Sequence, residues 1–179
     1  GKEEGGTKGA ALTTYISIAG RYCVLMPNTP RGGGVSRKIA NVTDRKRLKK
    51  VVDELDVPTG MAVIVRTAGS KRTKTEIKRD YSNSTSIWEN VKNLTLESNA
   101  PFLIHEEGSL VKRAIRDLYH SDINEVLVHG NEAYKTCKNY MKSLMPSHAK
   151  KVQQYNDDKN PLFQKYKVFF RNIYNHLRL

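Results

Sequence analysis

The sequence predicts a small mixed α+β domain followed by an α/β part. Period-two alternation of apolar residues near the start marks strands. Apolar stripes at helical spacing then flank a short apolar run at Met61–Val65. Beyond Pro101 strand-like and helix-like segments alternate regularly, the pattern of a parallel sheet with crossover helices. A boundary near Arg113 separates the two parts, and 179 residues are enough to give each a modest core.

Each element has its own signal. Alternation over Tyr15–Ile18 and again over Tyr22–Met26, broken at Gly20-Arg21, predicts two strands or one bent strand. The glycines and Pro30 of NTPRGGGVSRK predict an exposed loop without a regular element. Leu48, Val51, Val52 and Leu55 form the stripe of a helix capped by Thr43 or Asp44 and ended by Pro58 and Gly60. Met61–Val65 is a buried strand, and RTAGSKR is its exit loop. Thr73 with Glu76 forms a capping box for a second helix, with Ile77, Tyr81, Trp88 and Val91 inward. The polar SNSTS centre lowers helix propensity there, so packing of Trp88 is expected to hold it.

After a break at Asn99–Pro101, the order predicted is strand PFLIHE, helix SLVKRAIRDLY, strand NEVLVHG and helix NEAYKTCKNYMKSL. The first of these helices turns Leu110, Ala114, Ile115 and Leu118 inward, the second Ala133, Tyr134, Cys137, Tyr140, Met141 and Leu144. The strands form a parallel pair. A final amphipathic helix runs through NPLFQKYKVFFRNIYNHLRL.

Charge narrows the function. Lys and Arg outnumber Asp and Glu 31 to 18, a formal net charge of +13, in the clusters DRKRLKK, SKRTKTEIKR, LVKRAIR and HAKK. A polyanion is the partner such a surface attracts, because neutralised phosphates release counterions. The two cysteines, Cys23 and Cys137, sit in apolar contexts as reduced core residues, which points to an intracellular setting. No segment approaches the about 20 apolar residues that span a bilayer. The opening GKEEGGTKG lacks a signal peptide's apolar core and an initiator Met, which points to a piece of a longer protein.

For catalysis the residues offer little. The five histidines lack metal-ligand spacing, and Glu106, Glu107, Asp117 and Asp122 read as caps or solvated acids. Tyr81, Trp88 and Phe102 read as core residues before base-stacking platforms. At the end of the buried strand, Arg66 offers a planar fork of donors, Thr67 a hydroxyl and Gly69 close backbone approach, groups that suit a phosphate. A surface loop with a routine salt bridge has the same pattern. The break at Gly20–Val24 can bring backbone amides to the same place or be an ordinary bend. Lys71 and Arg72 read as dispensable neighbours.

Taken in series, KGAALTTYISIAGRYCVLMPNTPRGGGVSRKI, PTGMAVIVRTAG, APFLIHEEGSLVKRAIRDLY and DINEVLVHG resemble the ribonuclease E/G family of bacterial endoribonucleases, over nearly the whole chain. The resemblance implies three parts: the end of an OB-type RNA-binding domain at 1–14, a 5′-end sensor at 15–112, and a truncated RNase H-like subdomain at 113–179. It implies that Gly20, Val24, Arg66 and Thr67 grip a 5′-monophosphate and that Lys2, Lys8 and Arg37 contact RNA. The family's magnesium-binding aspartates and zinc-linking cysteines belong to a downstream catalytic domain, so no catalytic residue and no cofactor is expected in this chain itself. The implied parent is a cytoplasmic bacterial enzyme of mRNA decay and of rRNA and tRNA processing. It acts on single-stranded RNA, works with RNA-decay machinery and assembles as a homodimer or homotetramer. A non-catalytic RNA-binding scaffold on the same fold is the alternative. The chain departs from the family at Lys38, at Ala40-Asn41 and through KRDYSNSTS, which bears on helix packing more than on the phosphate grip.

Overall fold

The structure is a computed structural model that describes residues 14–30, 33–106, 109–157, 159 and 161–162. Among these run β1 (Ile18–Ala19), β2 (Cys23–Met26), β3 (Gly34–Val35), α1 (Val42–Asp53), β4 (Ala62–Val65) and α2 (Lys74–Glu97), then α3 (Leu110–Leu118), β5 (Val126–His129), α4 (Asn131–Leu144) and β6 (Val152–Tyr155). The mixed α+β class that the sequence predicts is the class observed. The chain divides into two compact units, Gly1–Glu107 and Gly108–Leu179. Lys2, Lys8, all but Thr14 of the predicted OB-type end, and the predicted terminal helix beyond Leu162 lie outside the described residues.

In the first unit a four-stranded sheet has the order β1-β2-β4-β3. Strand β2 pairs antiparallel with both β1 and β4, with Cys23 opposite Val65 and Leu25 opposite Val63. Alternation along β2 buries Cys23 and Leu25 and leaves Val24 and Met26 half-buried. The break at Gly20-Arg21 therefore separates two strands of a hairpin. Strand β3 pairs parallel with β4 and corrects the reading of NTPRGGGVSRK as wholly irregular. Two residues, one of them Gly34, are too few to show alternation, and the pairing comes from β4.

Helices α1 and α2 supply Leu48, Val51, Ile77 and Tyr81 to the core around Leu25, Val63 and Val65. The cap of α1 is Asn41, not Thr43 or Asp44: its side chain accepts from the Asp44 amide at 2.9 Å, so the helix starts two or three residues earlier than predicted. The helix also stops at Asp53, before Pro58. The capping box of α2 forms as predicted. In its polar centre Ser82, Ser84, Thr85 and Ser86 each donate a hydroxyl hydrogen bond to the carbonyl four residues back, which satisfies the hydroxyls without stabilising the helix. Trp88, half-buried, packs against the core as expected.

The second unit has its own core of Ile115, Tyr119, Cys137, Met141 and Val152. Helix α4 matches its prediction. Three corrections apply to the segments around it. PFLIHE forms no strand, and Phe102 and Leu103 are exposed, so Phe102 is not a core residue. The parallel pair is instead β5 with β6, and β6 shows no period-two pattern because Val152 and Tyr155 are buried around an exposed Gln153-Gln154. In α3 the inward frame runs through Val111, Ile115 and Tyr119, which leaves Leu110 and Leu118 exposed.

Candidate functional site

Strand β4 ends at Val65, and the backbone carries the ladder one residue further. The Arg66 amide donates to the Tyr22 carbonyl at 2.8 Å, so Arg66 leaves the sheet from a fixed, extended position. Thr67–Gly69 then close a single 3₁₀ turn. Gly69 is buried beneath it, and a β-carbon there would stand 2.8 Å from Val65 Cγ1 and 2.9 Å from the Tyr22 carbonyl oxygen. Glycine is what lets the exit loop lie against the β1–β2 turn.

That turn faces Arg66 directly. Arg66 Nη1 donates to the Gly20 carbonyl at 2.6 Å, while the Gly20 amide donates to the Cys23 carbonyl at 2.9 Å. Beneath the turn lies the carboxylate of Asp80, from α2, only 3% exposed. It accepts hydrogen bonds from the amides of Arg21 (3.0 Å), Tyr22 (2.8 Å) and Cys23 (2.9 Å), and a longer one from the Cys23 thiol. Burial, then the Asp80 charge and hydrogen bond, push the Cys23 thiol far above its ordinary range. The amides of Gly20 through Cys23 are thus satisfied within the protein. This corrects the reading in which the turn lends them to a ligand: what Gly20 contributes is a carbonyl that holds Arg66.

The site residues fall into three groups. Gly20 and Arg66 touch, and Thr67 follows Arg66 on an exposed surface. Val24 sits one strand over, opposite Ile64, with a half-buried side chain. Arg37 is exposed just after Ser36, whose amide donates to the Val65 carbonyl at 2.9 Å, so β3 and β4 deliver Arg37 and Arg66 from the same sheet end.

Asp80 escaped the sequence reading, although Ile77, Asp80, Tyr81 and Ser84 share one buried helical stripe. A carboxylate on such a stripe needs buried donors, and that signal was available. Arg72 has partners of its own within the protein. Its guanidinium lies 5.5 Å from the Tyr22 ring centroid, where Arg21 approaches at the same distance, and its carbonyl accepts from Arg47 at 2.8 Å. Arg47 also donates to the Ser70 carbonyl, and Arg45 to the carbonyls of Ser36 and Ile39. Part of the basic DRKRLKK cluster therefore braces the loops around the site.

Among the described residues no group of three or more His, Cys, Asp or Glu is placed to hold a metal ion. Asp117 pairs with Arg116 at 2.8 Å, and Asp122 accepts from Ser121 at 3.1 Å. These acids do not fit a magnesium or zinc centre. No helix among the described residues is long and apolar enough to cross a membrane.

A cationic strand exit on a basic α+β unit has the makeup of a nucleic-acid-handling protein, and similarity to known proteins makes the class specific. A family model described as Ribonuclease E/G family matches residues 17–175, and the chain belongs to that family. Among individual relatives, it is 42% identical over 167 residues to Ribonuclease E of Haemophilus influenzae, covering 93% of this chain and 18% of that protein. It is also 42% identical over 168 residues to Ribonuclease E of Escherichia coli, covering 93% of this chain and 16% of that protein. Ribonuclease G of Escherichia coli is 29% identical over 167 residues, 93% of this chain and 34% of its own length. The chain thus spans less than a fifth of the two ribonuclease E relatives.

Proposed function

We propose that the chain is the RNA-binding and 5′-monophosphate-sensing portion of a single-strand-specific bacterial endoribonuclease. The parent enzyme acts in the cytoplasm in mRNA decay and in rRNA and tRNA processing. The observation that carries this reading is the Arg66 guanidinium, oriented by the Gly20 carbonyl at 2.6 Å beside the exposed Thr67 hydroxyl. A terminal monophosphate carries about two charges and a set of strong acceptor oxygens, which a guanidinium fork and a hydroxyl can satisfy together. A triphosphate brings further charge and bulk to the same place, which turns phosphate count into selectivity. Arg37, Lys2 and Lys8 are assigned to the RNA backbone, and Val24 to the wall of the phosphate site. In this reading magnesium and zinc belong to other parts of the parent enzyme, a homodimer or homotetramer, and no step involving them is assigned to this chain.

The test is binding of one short single-stranded RNA carrying a 5′-monophosphate, a 5′-hydroxyl or a 5′-triphosphate, followed by fluorescence anisotropy. One charge-assisted hydrogen bond is worth about 1.5 kcal/mol or more, so the monophosphate is expected to bind about tenfold tighter than the hydroxyl form. Arg66→Ala is expected to erase the difference. Equal affinities for the three RNAs in the unmutated chain would overturn the assignment.

A further inference from the structure

The buried carboxylate beneath the β1–β2 turn has no part in the phosphate grip as described, yet the turn is organised around it. Arg21, Tyr22 and Cys23 supply successive backbone amides within 3.0 Å of Asp80, an arrangement that binds anions when left open to solvent. Here the anion is internal. Hydrogen bonds to an ionised carboxylate are among the strongest a fold contains, and at 3% exposure water does not compete for them.

The glycine before them serves the same contact. A β-carbon at Gly20 would stand 2.3 Å from Asp80 Oδ2 and 2.8 Å from Asp80 Cγ, so only glycine lets the carboxylate come this close. The carbonyl of that glycine is the acceptor of Arg66 Nη1. A line of contacts therefore runs from helix α2 through Asp80 and the turn amides to the Gly20 carbonyl and the Arg66 guanidinium.

We propose that Asp80 is the positioning residue of the 5′-phosphate site: its carboxylate sets the turn whose Gly20 carbonyl aims Arg66. The inference rests on the reading of Arg66 as the phosphate grip. It adds that terminal-phosphate selectivity depends on a buried acid that never meets the RNA. It also restricts the ligand's donors, because the amides of Arg21, Tyr22 and Cys23 belong to Asp80 and stay with it when RNA binds.

The experiment pairs RNA binding with amide and arginine NMR spectra of the whole chain, in the wild type, in Asp80→Asn and in Asp80→Glu. Asparagine keeps the shape but turns an NH₂ group toward backbone donors, so at least one turn amide loses its acceptor. In Asp80→Asn the Arg21, Tyr22 and Cys23 amide signals are expected to move upfield, and the preference for 5′-monophosphate over 5′-hydroxyl RNA to fall from about tenfold to near parity. Affinity for the 5′-hydroxyl RNA is the reference, since a general loss of structure lowers both affinities together. Asp80→Glu keeps the charge and is expected to retain part of the preference; it also serves as the readout if Asp80→Asn does not fold.

Full preference in a folded Asp80→Asn chain whose three turn amides have moved would overturn the positioning role, as would full preference in an Asp80→Glu chain whose turn amides have moved. A wild type without any preference defeats the phosphate reading instead. The Arg66 Nε–H signal then decides the positioning role alone: unchanged in Asp80→Asn, it overturns the inference, and displaced, it upholds the contact line from Asp80 to Arg66.

Discussion

Arg66 owes its value to being held. An exposed arginine surrenders side-chain entropy each time it grips a ligand, whereas one tied to the Gly20 carbonyl at 2.6 Å has lost part of that freedom on folding. Residue chemistry made Arg66 and Thr67 legible in sequence, because a fork of donors next to a hydroxyl suits a phosphate. The helical stripe could flag Asp80 as a buried acid but not name its partners, backbone amides nearly sixty positions away. Both cysteines are buried and free. Burial raises each thiol above its ordinary value, and Asp80 raises Cys23 further. Since the thiolate is the nucleophile, iodoacetamide at pH 8 is expected to leave both unmodified in the folded chain and to alkylate both in urea, as read by mass spectrometry. Rapid labelling of native Cys23 would contradict the buried contact with Asp80.

Helix α2 is the element on which the site leans, because it carries Asp80 two turns after its start. Thr73 caps it by accepting from the Glu76 amide, while the Glu76 carboxylate accepts from the Thr73 amide at 2.8 Å. Thr73→Ala is expected to cost about 1 kcal/mol, measured by urea unfolding. Burial pushes the Glu76 carboxyl up, but the Thr73 hydrogen bonds and the Arg72 charge outweigh it and hold the group below its ordinary value of 4.5. With the folded value depressed, the stabilisation from Glu76 is present above pH 4.5 and is lost as pH falls through the folded value. The acid limb of a stability profile should therefore flatten in Glu76→Gln relative to the parent chain. Elements with a long periodic stretch, such as α2 and α4, were legible from spacing. The two-residue β3 was not, since a strand that short exists only through its partner β4. PFLIHE failed in the opposite sense: its apolar residues satisfy a strand pattern, but β5 pairs with β6.

At the scale of the whole molecule the net charge of +13 favours a polyanionic partner, which in the proposed function is RNA. Each phosphate neutralised on a single strand contributes about −0.7 to the slope of log affinity against log salt concentration. Affinity for any single-stranded RNA is expected to fall steeply with salt, and Arg37→Ala to make the slope shallower by about 0.7 if that side chain meets a phosphate. An unchanged slope would remove Arg37 from the interface. The surplus was countable from the sequence, but the division of labour within it was not: Arg45 and Arg47 brace loops, while Arg37 stays exposed. By itself the sequence determined the α+β class, the capping box, the buried strand that leads into Arg66 and Thr67, and the family motifs, because these depend on near neighbours and on order along the chain. Only the tertiary structure decided that Gly20 offers a carbonyl to Arg66 and that its neighbours' amides go to Asp80. A backbone donor is chemically alike at every residue, and what it binds is settled by which side chain the fold brings within 3 Å.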